Sequence, residues 1–159
     1  MDRFLNAVQA IAVTLWVGAL WTSGLVVAPL LFQSLSDRTL AGTVAGRLFE
    51  VTATIGLVCA VCILIIWFVR RRTRDSQKYL AWLVVAMLVL ALVGQFGIQP
   101  VLAAIREQVH PQPVMESALG PRFAFWHIAA TVLYLVQCLL GAALVVSSRA
   151  SSEGASVRR

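Results

Sequence analysis

Four long apolar runs follow one another along the chain, separated by short polar stretches. The first extends from about Phe4 to Phe32 and the second from about Ala41 to Val69. The third extends from about Lys78 to Val109 and the fourth from about Arg122 to Ser148. A hydrocarbon core about 30 Å thick needs about 20 helical residues at about 1.5 Å each, so every run predicts a transmembrane helix. The surplus length predicts tilt or protrusion beyond the bilayer. Pro100 lies inside the third run, where the missing N–H and the ring predict a kink. The connections 33–40 and 110–121 are short, and the second, HPQPVMESALGP, predicts irregular backbone. The pattern therefore predicts an all-α integral membrane four-helix bundle, up-down-up-down, occupying residues 1–148 as one domain. The tail 149–159, RASSEGASVRR, is polar and of low complexity and is expected to be disordered.

Composition strengthens that reading. Of 159 residues, 60% are hydrophobic and 13% charged, against nearly half apolar and a quarter charged in a soluble domain. The net charge of +6 is concentrated in RRRTRDSQK, where Arg70, Arg71, Arg72, Arg74 and Lys78 stand between the second and third runs. That is the place of a positive-inside signal, and it suits anionic lipid headgroups as partners rather than nucleic acid. The basic loop and both termini are then expected in the cytoplasm, in a bacterial inner membrane, with 33–40 and 110–121 facing outward. The first run follows only MDR and is too long for a signal-peptide core, so it is expected to stay as a helix. Cys59, Cys62 and Cys138 all lie within apolar runs and indicate no disulfide framework.

Helical geometry turns about 100° per residue and groups the polar positions into stripes. His127, Thr131, Tyr134, Cys138 and Gly141 fall within an arc of roughly 80° on the fourth helix. Gln95, Gln99 and Arg106 align on the third, Thr14, Gly18, Trp21 and Leu25 on the first, and Arg47, Glu50 and Thr54 on the second. Lipid cannot pair with polar groups, so these stripes are expected to face the bundle interior. Arg47, Glu50, Gln95, Gln99 and His127 all belong to the outward ends of their helices, which predicts a polar pocket in the outer half. Gly42 and Gly46 form a G-x-x-x-G that would let helices approach closely.

The candidate chemistry is sparse. His127 can ligate copper, zinc or haem iron, relay protons, or hydrogen-bond a neighbouring helix. Arg47 and Glu50 are spaced for an i, i+3 ion pair, and Glu50 is also an acidic partner or co-ligand for His127. Cys59 and Cys62 form a C-x-x-C, but they point about 180° and about 120° away from Glu50 and suit small apolar packing. A copper(I) way station with Cys138 is the alternative. Trp67, Trp82 and Trp126 are placed as interfacial anchors, and Trp21 as a lining or core residue. The sequence contains no H-E-x-x-H, no phosphate-cradling glycine loop and no nucleophile elbow, which argues against a hydrolase or nucleotide enzyme.

Three stretches carry a resemblance. LWVGALWTSGLVVAPLLF resembles the Trp-x-Gly and Ala-Pro-x-x-Phe pattern of a small four-helix membrane family of unknown function. AGTVAGRLFE resembles its second signature at Gly46 and Phe49, and WHIAA a His-centred segment in which Ala130 replaces a serine. That family is similar to the transmembrane-protein-205-like proteins and distantly to the copper-resistance CopD membrane domain and the HemJ-type protoporphyrinogen oxidases. The resemblance implies copper or haem as a cofactor, carried over only to His127. Together these readings predict a non-enzymatic membrane protein that binds or passes a small ligand or metal ion. Its site would be Glu50 and His127, oriented by Gln95, Gln99 and Thr131, with Arg47 and Trp21 beside them. The alternatives are a haem-bearing oxidoreductase and an accessory subunit of a homo- or hetero-oligomeric complex.

Overall fold

The computed structural model describes residues 2–69, 76–110 and 112–156. Helix α1 (Asp2–Trp21) passes through a π-helical turn (Thr22–Val27) into α2 (Ala28–Ser34). After a short break, α3 (Arg38–Val69) runs uninterrupted; Asp37 Oδ1 accepts from the N–H groups of Thr39 (2.8 Å) and Leu40 (3.1 Å), capping its start. The third span repeats the plan of the first: α4 (Ser76–Leu92), a second π turn (Val93–Ile98), then α5 (Gln99–Val109). A 3-10 turn at Val114–Glu116 leads into α6 (Gly120–Ser156). Four helices, Arg3–Ser34, Arg38–Val69, Lys78–Val109 and Gly120–Ser148, are long and apolar enough to cross a membrane, as expected of a multi-pass membrane protein.

Two features differ from the sequence expectation. At Pro100 the chain inserts a π turn immediately upstream, and the same device precedes Pro29 in the first span. A proline in a helix interior lacks its N–H and drives its ring against the carbonyl four residues back, here Leu25 or Phe96. A wider turn relieves that crowding. The residue before each proline donates five positions back, Ala28 to Ser23 O and Gln99 to Gly94 O. The second difference lies in the tail: α6 continues through Arg149 to Ser156. That segment has no proline, and Ala150, Glu153 and Ala155 are good helix formers. The basic cluster Arg70, Arg71, Arg72 and Arg74 lies outside the described residues; Lys78, Tyr79 and Trp82 just beyond it are exposed.

The main apolar cluster occupies one half of the bundle, and Ala41, Ala45, Ile98, Leu102 and Ile105 are buried in the other. α1 packs on α3 and α6, and α4 packs on α3 and α6, so each helix has two neighbours. Trp16, Val84, Met87 and Leu144 are fully enclosed there, with Cys59, Ala60, Ile63 and Cys138 around them. Gly56 makes room for Trp16, because a Cβ on it would overlap the indole. Gln137 is buried in the same half and donates from Nε2 to Met87 O at 3.0 Å, which satisfies an amide that lipid would leave bare. Between transmembrane helices such close fit replaces water exclusion as the main source of association. We call this half proximal. Beyond the π turns, the distal half consists of two arms, α2 lying on α3 and α5 lying on α6.

Candidate functional site

The polar stripes computed from spacing do not converge on an interior pocket. Thr14, Gly18, Trp21 and Leu25 are exposed, and the inner face of α1 is instead Val13, Trp16, Val17 and Leu20. Arg47, Glu50 and Thr54 are exposed too, with Thr52, Gly56 and Cys59 turned inward on α3. His127 and Thr131 are exposed at the distal part of α6; only Tyr134, Cys138 and Gly141, deeper on the same stripe, reach the interior. Gln95 and Gln99 are half-buried, Gln95 in the second π turn and Gln99 at the start of α5.

The predicted pairings resolve as follows. Arg47 Nη1 lies 3.9 Å from Glu50 Oε2, with their side chains 82% and 54% exposed, a contact worth little in solvent. Among the described residues no carboxylate lies within 4.0 Å of His127, so Glu50 is not its partner. The imidazole stacks on Phe123, with ring centroids 5.9 Å apart. Thr131 Oγ1 donates to His127 O at 2.8 Å, which holds that hydroxyl to its own helix. Trp21 Nε1 donates to Cys138 O at 3.3 Å, tying the first span to the fourth at the base of the distal half. Nothing approaches Gly42, whereas Gly46 faces the guanidinium of Arg106, so the G-x-x-x-G is not a helix contact as a pair.

Residues outside the predicted set bring the distal half together. Tyr134 reaches across from α6: its hydroxyl donates to Leu20 O, its ring meets Phe49 of α3 edge-on at 5.1 Å, and Gly24 leaves space for it. Ser23, inside the first π turn, is buried against Thr52 of α3, with oxygens 2.8 Å apart. Arg106 of α5 is half-buried; its guanidinium lies 5.8 Å from the centre of the Phe123 ring. A Cβ on Gly46 would come within 3.5 Å of its Nη1, so this one side chain touches α6 and α3 together. Phe49 and Tyr134 thus join α3 to α6, and Arg106, Phe123 and His127 group where α5 meets α6.

Metal chemistry finds little support in this arrangement. Among the described residues no group of three or more His, Cys, Asp or Glu side chains is placed to hold an ion. Cys59 and Cys138 belong to the apolar core, and Cys62 is half-buried beside it. A cavity of about 20 Å3 lies in the proximal half, lined by Gln9, Val13, Trp67, Leu80 and Ser148 among others, with room for about one water.

The family model for a domain of unknown function (DUF4149) matches residues 11–111, which covers nearly all of the first three spans, both π turns, Gly46 and Arg106. His127 and Tyr134 lie beyond it. No curated protein and no solved structure matches the chain. On the extent of that match, the chain belongs to the DUF4149 family.

Proposed function

We propose that this membrane protein is non-enzymatic and binds or passes a small ligand or ion through its distal half. The observation that supports the reading is the grouping of Arg106, Phe123 and His127 where α5 meets α6, beyond the apolar cluster around Trp16, Met87 and Leu144. In this reading the termini and the basic loop face the cytoplasm of a bacterial cell, across its inner membrane. Arg70, Arg71, Arg72, Arg74 and Lys78 then meet anionic headgroups.

Helix length supports the same depth assignment. Spans of 32 residues reach about 48 Å at about 1.5 Å per residue, well beyond a hydrocarbon core of about 30 Å. Counting about 20 residues from the basic and aromatic ends leads to the neighbourhood of Gly24, Glu50, Ile98 and Ala129. Arg47, Gln99, Arg106 and His127 then stand at or above the far boundary, where water and headgroups solvate them.

His127, with Gln95, Gln99 and Arg106, is assigned to ligand contact. Protein extracted gently into lipid nanodiscs is expected to retain a small species in native mass spectra, and His127→Ala to lose it without a fall in thermal stability. Unchanged retention together with a loosened bundle would make His127 structural. A Soret band or stoichiometric copper in the same sample would favour the haem or copper reading implied by the CopD and HemJ resemblance. A stably co-purifying protein would favour an accessory subunit.

A further inference from the structure

We infer that α2 is a hinged arm that swings as one helix on the first π turn, while α5, built on the same backbone device, stays docked. The motion belongs to the protein itself, with or without a bound ligand. In both arms a proline stands at the second residue after a π turn, Pro29 in Ala28–Ser34 and Pro100 in Gln99–Val109. Proline supplies no N–H, so the hydrogen-bond ladder lacks a rung at each junction and bends there most easily. What differs is how each arm is held.

The side-chain tethers of the first span end at Gly24. Leu20 O accepts from the Tyr134 hydroxyl, Trp21 Nε1 donates to Cys138 O at 3.3 Å, and Ser23 shares a hydrogen bond with Thr52 at 2.8 Å. The Tyr134 ring fills the space beside Gly24. Beyond that point no residue of α2 is buried, and Leu30 and Phe32 are 52% and 45% exposed. Neither Gln33 nor Ser34 makes a side-chain hydrogen bond within the described residues. α5 has the opposite character: Leu102 and Ile105 are 2% and 4% exposed, and Arg106 lies over the Phe123 ring of α6. Lipid is as apolar as a leucine side chain, so close packing and hydrogen bonds are what hold one membrane helix to another. α2 lies on α3 with little of the first and, from its side chains, none of the second. Leu30 and Phe32 are therefore no worse placed against lipid than against α3. The element with the fewest buried contacts is the one that opens.

Gly24 is then the pivot. Phe32 lies about 12 Å along the axis from it, so each turn of about 10° carries Phe32 through about 2 Å. The test measures spin-label distances by electron–electron resonance on the whole protein in lipid nanodiscs. The labels are carried on genetically encoded keto side chains, so that Cys59, Cys62 and Cys138 stay native. One pair occupies positions 32 and 61 and reports α2 against α3; the other occupies 104 and 139 and reports α5 against α6. Phe32, Val61, Ala104 and Leu139 are all exposed. The 32–61 distribution is expected to be wider than the 104–139 distribution by about 4 Å or more, a swing of about 20°, the size of a sharp helix kink. Pro29→Ala restores the N–H and is expected to narrow it. Hydrogen exchange in the same nanodiscs is expected to find the N–H groups of Phe32, Gln33 and Ser34 exchanging well below the rate of an unstructured peptide, as a helix moving in one piece requires. Equal widths at the two arms would overturn the inference, and so would a 32–61 width that Pro29→Ala leaves unchanged. Unprotected amides in α2 would mean that the arm melts instead of swinging, which would overturn it too.

Discussion

Gly56 offers the most direct test of the proximal core. A Cβ at this position would overlap Trp16 Nε1 and come within 3.0 Å of Cδ1 and 3.1 Å of Cε2. Trp16 is 1% exposed and surrounded by core side chains, so the indole has nowhere to retreat. Overfilling a close-packed interior costs about 1–3 kcal/mol. Replacing glycine by alanine in a helix also gains up to about 1 kcal/mol in propensity, which would blur a single measurement. Gly18 separates the two effects: it lies on the same bundle, is exposed, and has nothing within 4 Å of its Cβ position. Propensity acts on both substitutions alike, so their difference isolates the clash. Gly56→Ala is expected to be less stable than Gly18→Ala by about 1–3 kcal/mol in mixed-micelle unfolding titrations. Trp16→Phe, which shortens the ring system, should reduce the penalty of Gly56→Ala in a double-mutant cycle. If Gly56→Ala matched Gly18→Ala, or if Trp16→Phe failed to couple to it, the contact between α1 and α3 described above would be wrong.

Ser23 and Thr52 are a second pair suited to a cycle. Each single substitution, Ser23→Ala or Thr52→Val, leaves a buried hydroxyl without its cross-helix partner, and the double variant should cost less than the sum of the two in the same unfolding titration. Tyr134→Phe removes only the hydroxyl that Leu20 O accepts while keeping the ring against Phe49. It should lower stability by about 0.6 kcal/mol, the usual worth of an interhelical hydrogen bond in a membrane protein, and a loss above about 2 kcal/mol would mean the ring has moved.

Span lengths were legible in the sequence because length and hydropathy are one-dimensional quantities. The run expected from Ala41 to Val69 is a helix from Arg38 to Val69, and the others match as closely. Helix faces were not legible to the same degree. In a lipid-exposed helix both sides are apolar, so Val13 inside and Leu15 outside look alike in a list of residues. Polar positions were the only guide to orientation, and they misled at Trp21, Glu50 and His127, which are exposed. On the third span Gln95, Gln99 and Arg106 are each half-buried. Arg106 is the lone arginine of that run, and the sequence placed it in a stripe with Gln95 and Gln99 without making it a site residue. Tyr134 and Phe49 carried no signal of their contact, since an aromatic residue in an apolar run is ordinary core material.

The π turns explain why a single helical count cannot describe both halves. One extra residue in a turn advances everything downstream by about 100° relative to an uninterrupted helix. The first and third spans each contain such a turn and the second and fourth do not. Faces that fit together in the proximal half are therefore out of phase beyond Val27 and Ile98, and the four-way core cannot continue. Each α2 and α5 segment settles on one neighbour instead, α3 or α6. The side chains that cross between helices there are Tyr134, bonded to Leu20 O and edge-on to Phe49, and Arg106, which lies close to Gly46. Prolines 29 and 100 thus act at a distance from themselves: by requiring the wide turns, they change which helices α2 and α5 pack against.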